Sequence, residues 1–183
     1  TVDYRLTQSE DDEPSLAQTQ GFGQAVPGQG TLFVMFTVLG AMSLLLQERK
    51  QWTLQRLVVM PVSRAQILGG KILAYFSLGM IQYAVVFGVG IIVGTQFGNA
   101  PLALLLVMVA FTLSITALTF ALATFVTSEG QAQGLSLLLS LTLAPLGGAW
   151  WPLEITPQFM QVIGRVTPVA WAMVGFGTVF FFG

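Results

Sequence analysis

Two long stretches of this chain carry no charge: residues 14–47 and 72–128 contain no Asp, Glu, Lys, Arg or His. Soluble domains use about a quarter charged residues to keep their surfaces wet. Here charged residues make up 8% and hydrophobic ones 54%, with a mean hydropathy of +0.77, so a surface solvated on all sides is excluded. The expectation is an all-α, polytopic membrane protein whose helices pack against lipid and one another, since helices satisfy their own backbone polar groups in hydrocarbon.

Between the two runs lies a basic island, Glu48–Lys71. It holds Arg49, Lys50, Arg56, Arg64 and Lys71, five of the seven basic residues, against the single acid Glu48. Lys and Arg flanking spans are retained on the cytoplasmic side, and that bias sets orientation. The island therefore reads as a cytoplasmic loop. The net charge of -1 conceals this asymmetry, because Asp3, Glu10, Asp11, Asp12 and Glu13 gather at the start. There is no Cys and no His, which leaves no thiol nucleophile, no thiolate metal site and no imidazole base. No catalytic and no metal-ligating residues are assigned.

Taken in order, residues 1–24 are polar and acidic, either the end of a preceding extracytoplasmic region or a solvated leader. They do not resemble a signal peptide. Pro27-Gly28 marks a turn. The first span follows, Thr31 to Gln47, or from Ala25 with the turn included, since about 20 residues are needed to cross the bilayer. Pro61 divides the island, and Ser63-Arg64-Ala65-Gln66 fits a capping box that starts a new helix. That helix leads into a second span, Ile72 to about Gly94. The turn TQFGNAP, a third span from Leu102 to about Val126, and the connection TSEGQAQ come next. A fourth apolar run, Gly134 to about Trp150, contains Pro145. The segment Trp150–Trp171, broken by Pro152, Pro157 and Pro168, reads as short helices or a re-entrant hairpin at the outer surface, where Trp suits the headgroup layer. From Val169 a fifth span begins and is cut off, so the chain is expected to be a piece of a longer protein. Alternating sides from an outer start places the basic loop inside.

Several motifs allow a bland reading beside a functional one. Gly69-Gly70-Lys71 lacks the first Gly and the final Ser/Thr of a phosphate loop, so ATP must bind elsewhere. Gly90 and Gly94 have the small-residue spacing of close helix contacts, within the chain or in a dimer. Thr112, Thr116, Thr119, Ser136 and Ser140 either line a polar path or bond their own helix carbonyls. Gln82, an amide in mid-span, must face protein, bonding a neighbouring helix or touching substrate. Glu154 and Arg165 pair across the outer hairpin or face water.

The order of these features resembles the membrane domain of ABC-2 type transporter permeases. The resemblance rests on Glu48-Arg49, Thr53-Leu54, Arg56-Leu57, Pro61-Val62-Ser63-Arg64 and Gly70-Lys71. Downstream it is carried by Gln131-Ala132-Gln133, Gly147-Gly148, and Pro152, Pro157 and Pro168. It covers residues 25–183, with residues 1–24 as the end of an ectodomain. It implies that a first helix and most of that ectodomain precede residue 1. It also implies a coupling helix in the loop 48–71 that docks on a separate cytoplasmic ATPase carrying ATP and Mg. A second permease chain would complete the path in the cell membrane. Glu48, Arg49, Thr53, Leu54, Arg56, Leu57, Pro61, Ser63, Arg64 and Lys71 are then the coupling residues. Trp151, Pro152, Glu154, Pro157, Arg165 and Pro168 belong to the outer hairpin. The chain departs from the family at Trp52, where Gly is usual; an indole side chain excludes Gly-only backbone conformations.

An exporter permease is thus the leading function. An ion-gradient-driven transporter or channel is the alternative, but such carriers keep ionisable groups inside the membrane. Those groups are missing from the charge-free runs. A nucleic-acid partner is not expected. Neither the transported substrate nor the choice between homo- and heterodimer is legible.

Overall fold

The computed structural model describes residues 4–50, 63–95 and 97–182, with side chains from Gly23 onward except those of 64, 154 and 181–182. Among these residues every regular element is helical: α1 (Tyr4–Lys50), α2 (Arg64–Ile92), α3 (Pro101–Leu122), α4 (Glu129–Leu146), a 3-10 turn (Leu153–Ile155), α5 (Gln158–Gly164) and α6 (Pro168–Phe182). The membrane-embedded, all-helical expectation holds.

Helix α1 is the axis of the bundle. Of an 18-residue apolar stretch in its segment Gly23–Lys50, 61% is buried, against 22% for such a stretch in Ala65–Ile92 and 33% in Pro101–Leu122, because α2, α3, α4 and α6 all pack on it. Val34, Met35, Val38, Leu39 and Met42 are fully buried and recur at helical spacing. In lipid, apolar side chains gain little by leaving hydrocarbon, so association rests on close packing and small residues at the contacts. Gly79 of α2 supplies one such contact: a Cβ there would press on Thr112 and on Val34 and Val38. Against α1, α2 and α4 both run antiparallel. Glu48 meets Lys71 and Thr31 meets Tyr83 on α2, while Lys50 meets Glu129 and Gln24 meets Gly148 beside α4.

The turn expected at Pro27-Gly28 is absent. Helix α1 runs through it and starts as early as Tyr4, so the stretch read as a solvated leader is helical from there. Pro27 removes one backbone donor, a cost of roughly 3 kcal/mol in an unsupported helix interior. Here the surroundings hold the helix. Gly28 seats against the Ala149 carbonyl, where any side chain would collide, and the Gln24 amide donates to the Gly148 carbonyl at 2.8 Å. The glycine serves close approach and not a reversed chain direction.

The start of α2 is where Ser63 and Gln66 place it. Gln66 N–H donates to Ser63 Oγ at 3.2 Å, and Ser63 N–H donates to Gln66 Oε1 at 3.0 Å. Its end shows how Gly90 and Gly94 serve within the chain. Thr95 N–H donates to Gly90 O and Gly94 N–H to Ile91 O, with Gly94 at φ +92°. This is the Schellman closure of a helix, so Gly94 lies past the helix end, and Gly90 packs inside the chain against Val26 and Phe97. The same closure ends α4, with Gly148 at φ +83°, Gly148 N–H on Pro145 O and Ala149 N–H on Ala144 O.

Three helical segments are long and apolar enough to cross a membrane: Gly23–Lys50, Ala65–Ile92 and Pro101–Leu122. Helix α4, counted from the sequence as a complete span, has 18 residues and opens with Glu129, Gln131 and Gln133. It stops at Leu146, short of Trp150. Helices α5 and α6 meet at 96° and together count as a fourth candidate, a broken span or a re-entrant loop. The Trp-Pro segment does form short helices, as read from its prolines.

Candidate functional site

The polar residues concentrate at the end of the bundle where α1 finishes, α2 begins and the α3–α4 connection passes. Glu48 pairs with Lys71 across α1 and α2, with the lysine side chain only 19% exposed. Arg49 Nη1 donates to the Ala123 carbonyl at 3.2 Å, at the C-cap of α3. Lys50 Nζ lies 3.6 Å from Glu129 in the first turn of α4, both well exposed. Helix ends carry partial charges, positive at the N-terminus and negative at the C-terminus. Arg49 and Lys50 thus suit the end of α1, Arg49 also faces the negative end of α3, and Glu129 sits at the positive end of α4. Only Glu48 opposes its own helix, and Lys71 offsets it. The α4 start is further fixed by Ser128 Oγ, which accepts from Gln131 N–H at 3.2 Å, while Gln131 Oε1 accepts from Thr127 N–H and Oγ1.

Of the coupling residues expected from the sequence, the structure joins Glu48 to Lys71, bolts Arg49 to α3 and puts Ser63 at the N-cap of α2. Arg64 is the first residue of α2. Thr53, Leu54, Arg56, Leu57 and Pro61 lie outside the described residues, as does Trp52. What is visible is the frame from which residues 51–62 hang: two helix ends tied to each other by an ion pair and to α3 and α4 by Arg49 and Lys50. Glu129 was not singled out from the sequence. Its signal was available, an acid just after a Ser N-cap.

The hydroxyl residues of the supposed path face inward. Thr112, Thr116 and Thr119 are buried and donate to the carbonyls of Met108, Thr112 and Ile115 at 2.7–2.8 Å. Thr119 also reaches the Val38 carbonyl at 3.2 Å. The local reading of these hydroxyls describes their hydrogen bonds. Ser136 and Ser140 of α4 are buried as well, and Ser140 Oγ has no hydrogen-bond partner among the described residues. Gln82 is half-buried, and its buried Oε1 is likewise unpaired. The amide thus points into protein, as its cost in lipid requires.

A second centre was missed from the sequence. Tyr83, next to Gln82 on α2, is fully buried, and its hydroxyl lies 3.0 Å from Thr31 Oγ1 on α1. Around it Phe87, Phe111 and Phe176 stand with ring centroids 5.6–6.2 Å apart, and Phe97 and Phe180 extend the cluster. The cluster binds α6 to α2 and α3. A phenol in mid-span carries the same unpaired-donor cost as an amide, and that signal could have flagged Tyr83 with Gln82.

In the Trp-Pro segment, Trp150 and Trp151 meet edge to face at 5.8 Å, Pro152 precedes the 3-10 turn, Pro157 precedes α5 and Pro168 opens α6. Arg165 is exposed and the Glu154 side chain is undescribed, so their pairing stays open. No group of three or more His, Cys, Asp or Glu residues able to hold a metal occurs among the described residues.

Comparison with known proteins accords with this architecture. The linearmycin resistance permease protein LnrN of Bacillus subtilis (strain 168) is 31% identical over 165 residues, which is 90% of this chain and 43% of that protein. The chain thus spans less than half the length of that relative. No solved structure matches it. The family model of ABC-2 family transporter proteins matches residues 1–183 from end to end, and the chain belongs to that family.

Proposed function

We propose that this chain forms half of the translocation path of an ATP-driven exporter and receives motion from a separate ATPase through residues 48–71. The observation that carries the reading is the frame around that loop. Glu48–Lys71, Arg49–Ala123 and Lys50–Glu129 tie the ends of α1 and α2 to α3 and α4. A displacement imposed on the loop therefore reaches α1, the helix on which the rest of the bundle packs. Helix ends serving topology alone would gain nothing from being fastened to α3 and α4 as well as to each other. In this reading the basic end is cytoplasmic, consistent with the retention of Lys and Arg on that side. Thr53, Leu54 and Leu57 supply an apolar docking face, while Arg56 and Arg64 pair with acids on the ATPase. A second permease chain completes the path, and ATP and Mg reside on the ATPase. The relative's role as a resistance permease suggests a harmful compound as cargo. Gln82 Oε1 and Ser140 Oγ, buried and unpaired among the described residues, are the groups most available to a polar cargo when the helices part.

Co-purification and stimulated ATP hydrolysis in proteoliposomes test the reading. The chain should bring down an ATP-hydrolysing subunit, and Arg56→Glu with Arg64→Glu should release it while leaving the helical bundle folded. Retention of the ATPase and of transport by that double variant would defeat the assignment.

A further inference from the structure

Helix α4 meets α1 through a face of a different kind from the α1–α2 contact. Its buried residues are Ala132, Ser136, Ser140 and Ala144, all small and four apart. Where Ser136 crosses Gly40 of α1, a Cβ on the glycine would still lie 4.0 Å from Ser136 Oγ, an ordinary contact. Between α1 and α2 the surfaces interlock. A Cβ at Gly79 would come to 2.6 Å from Thr112 and 3.3 Å from Val34 and Val38, and Thr31 is hydrogen-bonded to Tyr83. Ridges seated in grooves resist sliding, whereas a face of small side chains has no ridge to lift.

The two ends of α4 are held differently. At the end far from the basic cluster, Gly28 sits against the Ala149 carbonyl and Gln24 donates to Gly148 O at 2.8 Å. There too Gly147 packs on Val169 of α6, and Gly164 of α5 packs on the Leu146 carbonyl, so that a side chain at either glycine would collide. At the basic end the tie is Lys50–Glu129 at 3.6 Å, with both side chains well exposed, and exposed pairs hold weakly. Between those ends no hydrogen bond or ion pair joins α1 to α4 among the described residues. Ser140 lies on this face, 0% exposed, and its Oγ has no partner among the described residues. A buried hydroxyl left unpaired disfavours the arrangement that strands it.

We propose that α4 is a lever that pivots at its glycine-locked far end and slips along α1 on the small-residue face, while α1, α2, α3 and α6 move as one body. Packed helices slip by about 1–2 Å; such a slip at Ser140, about 9 Å from Leu146, carries Gln133, about 20 Å from it, by about 2–4 Å. The movement brings Ser140 Oγ–H to an acceptor and parts α1 from α4 at the basic end. It is a property of the bundle alone, independent of the ATPase coupling.

The test is pulsed electron paramagnetic resonance on the full chain in nanodiscs, without nucleotide. The sequence has no Cys of its own, so paired Cys place the spin labels. Gln47→Cys with Gln133→Cys reads the basic end of the α1–α4 contact, and Ala25→Cys with Leu141→Cys reads its far end. Gln47→Cys with Leu73→Cys reads α1 against α2, all five positions being exposed. The first pair should show two populations about 2–4 Å apart, and the other two pairs a single narrow distance. Ser140→Ala removes the stranded hydroxyl and should shift the first pair about fivefold toward one population, the factor carried by one hydrogen bond. Ser136→Leu, which seats a branched side chain over Gly40, should merge the two populations, while Ser136→Ala, which keeps the face small, should preserve them. A first pair as narrow as the others would make the small face a static close contact and overturn the proposal. So would a far-end pair as broad as the first, or populations indifferent to Ser140→Ala.

Discussion

The Glu48–Lys71 pair offers the sharpest quantitative test of the frame at the basic end. Glu48→Gln removes the carboxylate and leaves a lysine side chain 19% exposed with its partner gone, while the Glu48 side chain itself is 40% exposed. Exposed pairs are worth about 0–1 kcal/mol, and breaking fully buried ones costs about 3–5 kcal/mol. A pair with one burdened partner falls between, at about 1–2 kcal/mol for Glu48→Gln and less for Lys71→Gln, which strands only the more exposed acid. The exchange Glu48→Lys with Lys71→Glu should recover the loss. It restores opposite charges and also places a cation at the C-terminal end of α1, the sign that end favours. The measurement is a double-mutant cycle in mixed micelles, unfolding the bundle with SDS and following tryptophan fluorescence. ATPase stimulation by the same variants is read in parallel, with Glu48→Gln expected to fall several-fold and the exchange to recover. Two single variants that each cost nothing, or an exchange that worsens the loss, would refute the reasoning.

Tyr83→Phe should destabilise the bundle by about 0.5–1.5 kcal/mol by orphaning Thr31, and Thr31→Val in the same background should restore most of it, as read by the same titration. Gly28→Val should be far costlier, since its side chain would strike the Ala149 carbonyl, and the same titration reads the loss. A single Cys at Gln55 should resist a membrane-impermeant thiol reagent in intact cells and react after permeabilisation.

Much of this molecule is legible because its determinants are local. Charge-free length fixes the helical membrane class, and Ser63 with Gln66 fixes the start of α2, since a capping box needs nothing beyond four consecutive residues. The hydroxyls of Thr112, Thr116 and Thr119 behave as their own helix dictates. What the sequence misleads about is nonlocal. Pro27-Gly28 has the composition of a turn, but Gly28 is small because Ala149 arrives from far along the chain. Gly90 and Gly94 share a spacing yet serve different ends, one at a packing contact and one at a left-handed helix stop. Helix α4 ends at Leu146, closed by the left-handed Gly148, which a hydropathy run to Trp150 overlooks. The Lys50–Glu129 and Thr31–Tyr83 pairs join residues on separate helices, and only their assembly reveals them.

The account turns on residues 51–62 being the part that a motor protein grips. A photo-crosslinking amino acid placed at Leu57 in native membranes addresses this directly. The account predicts a cross-link to an ATP-hydrolysing subunit whose yield changes when ATP is added. Cross-links to lipid alone, with no protein partner under either condition, would contradict it.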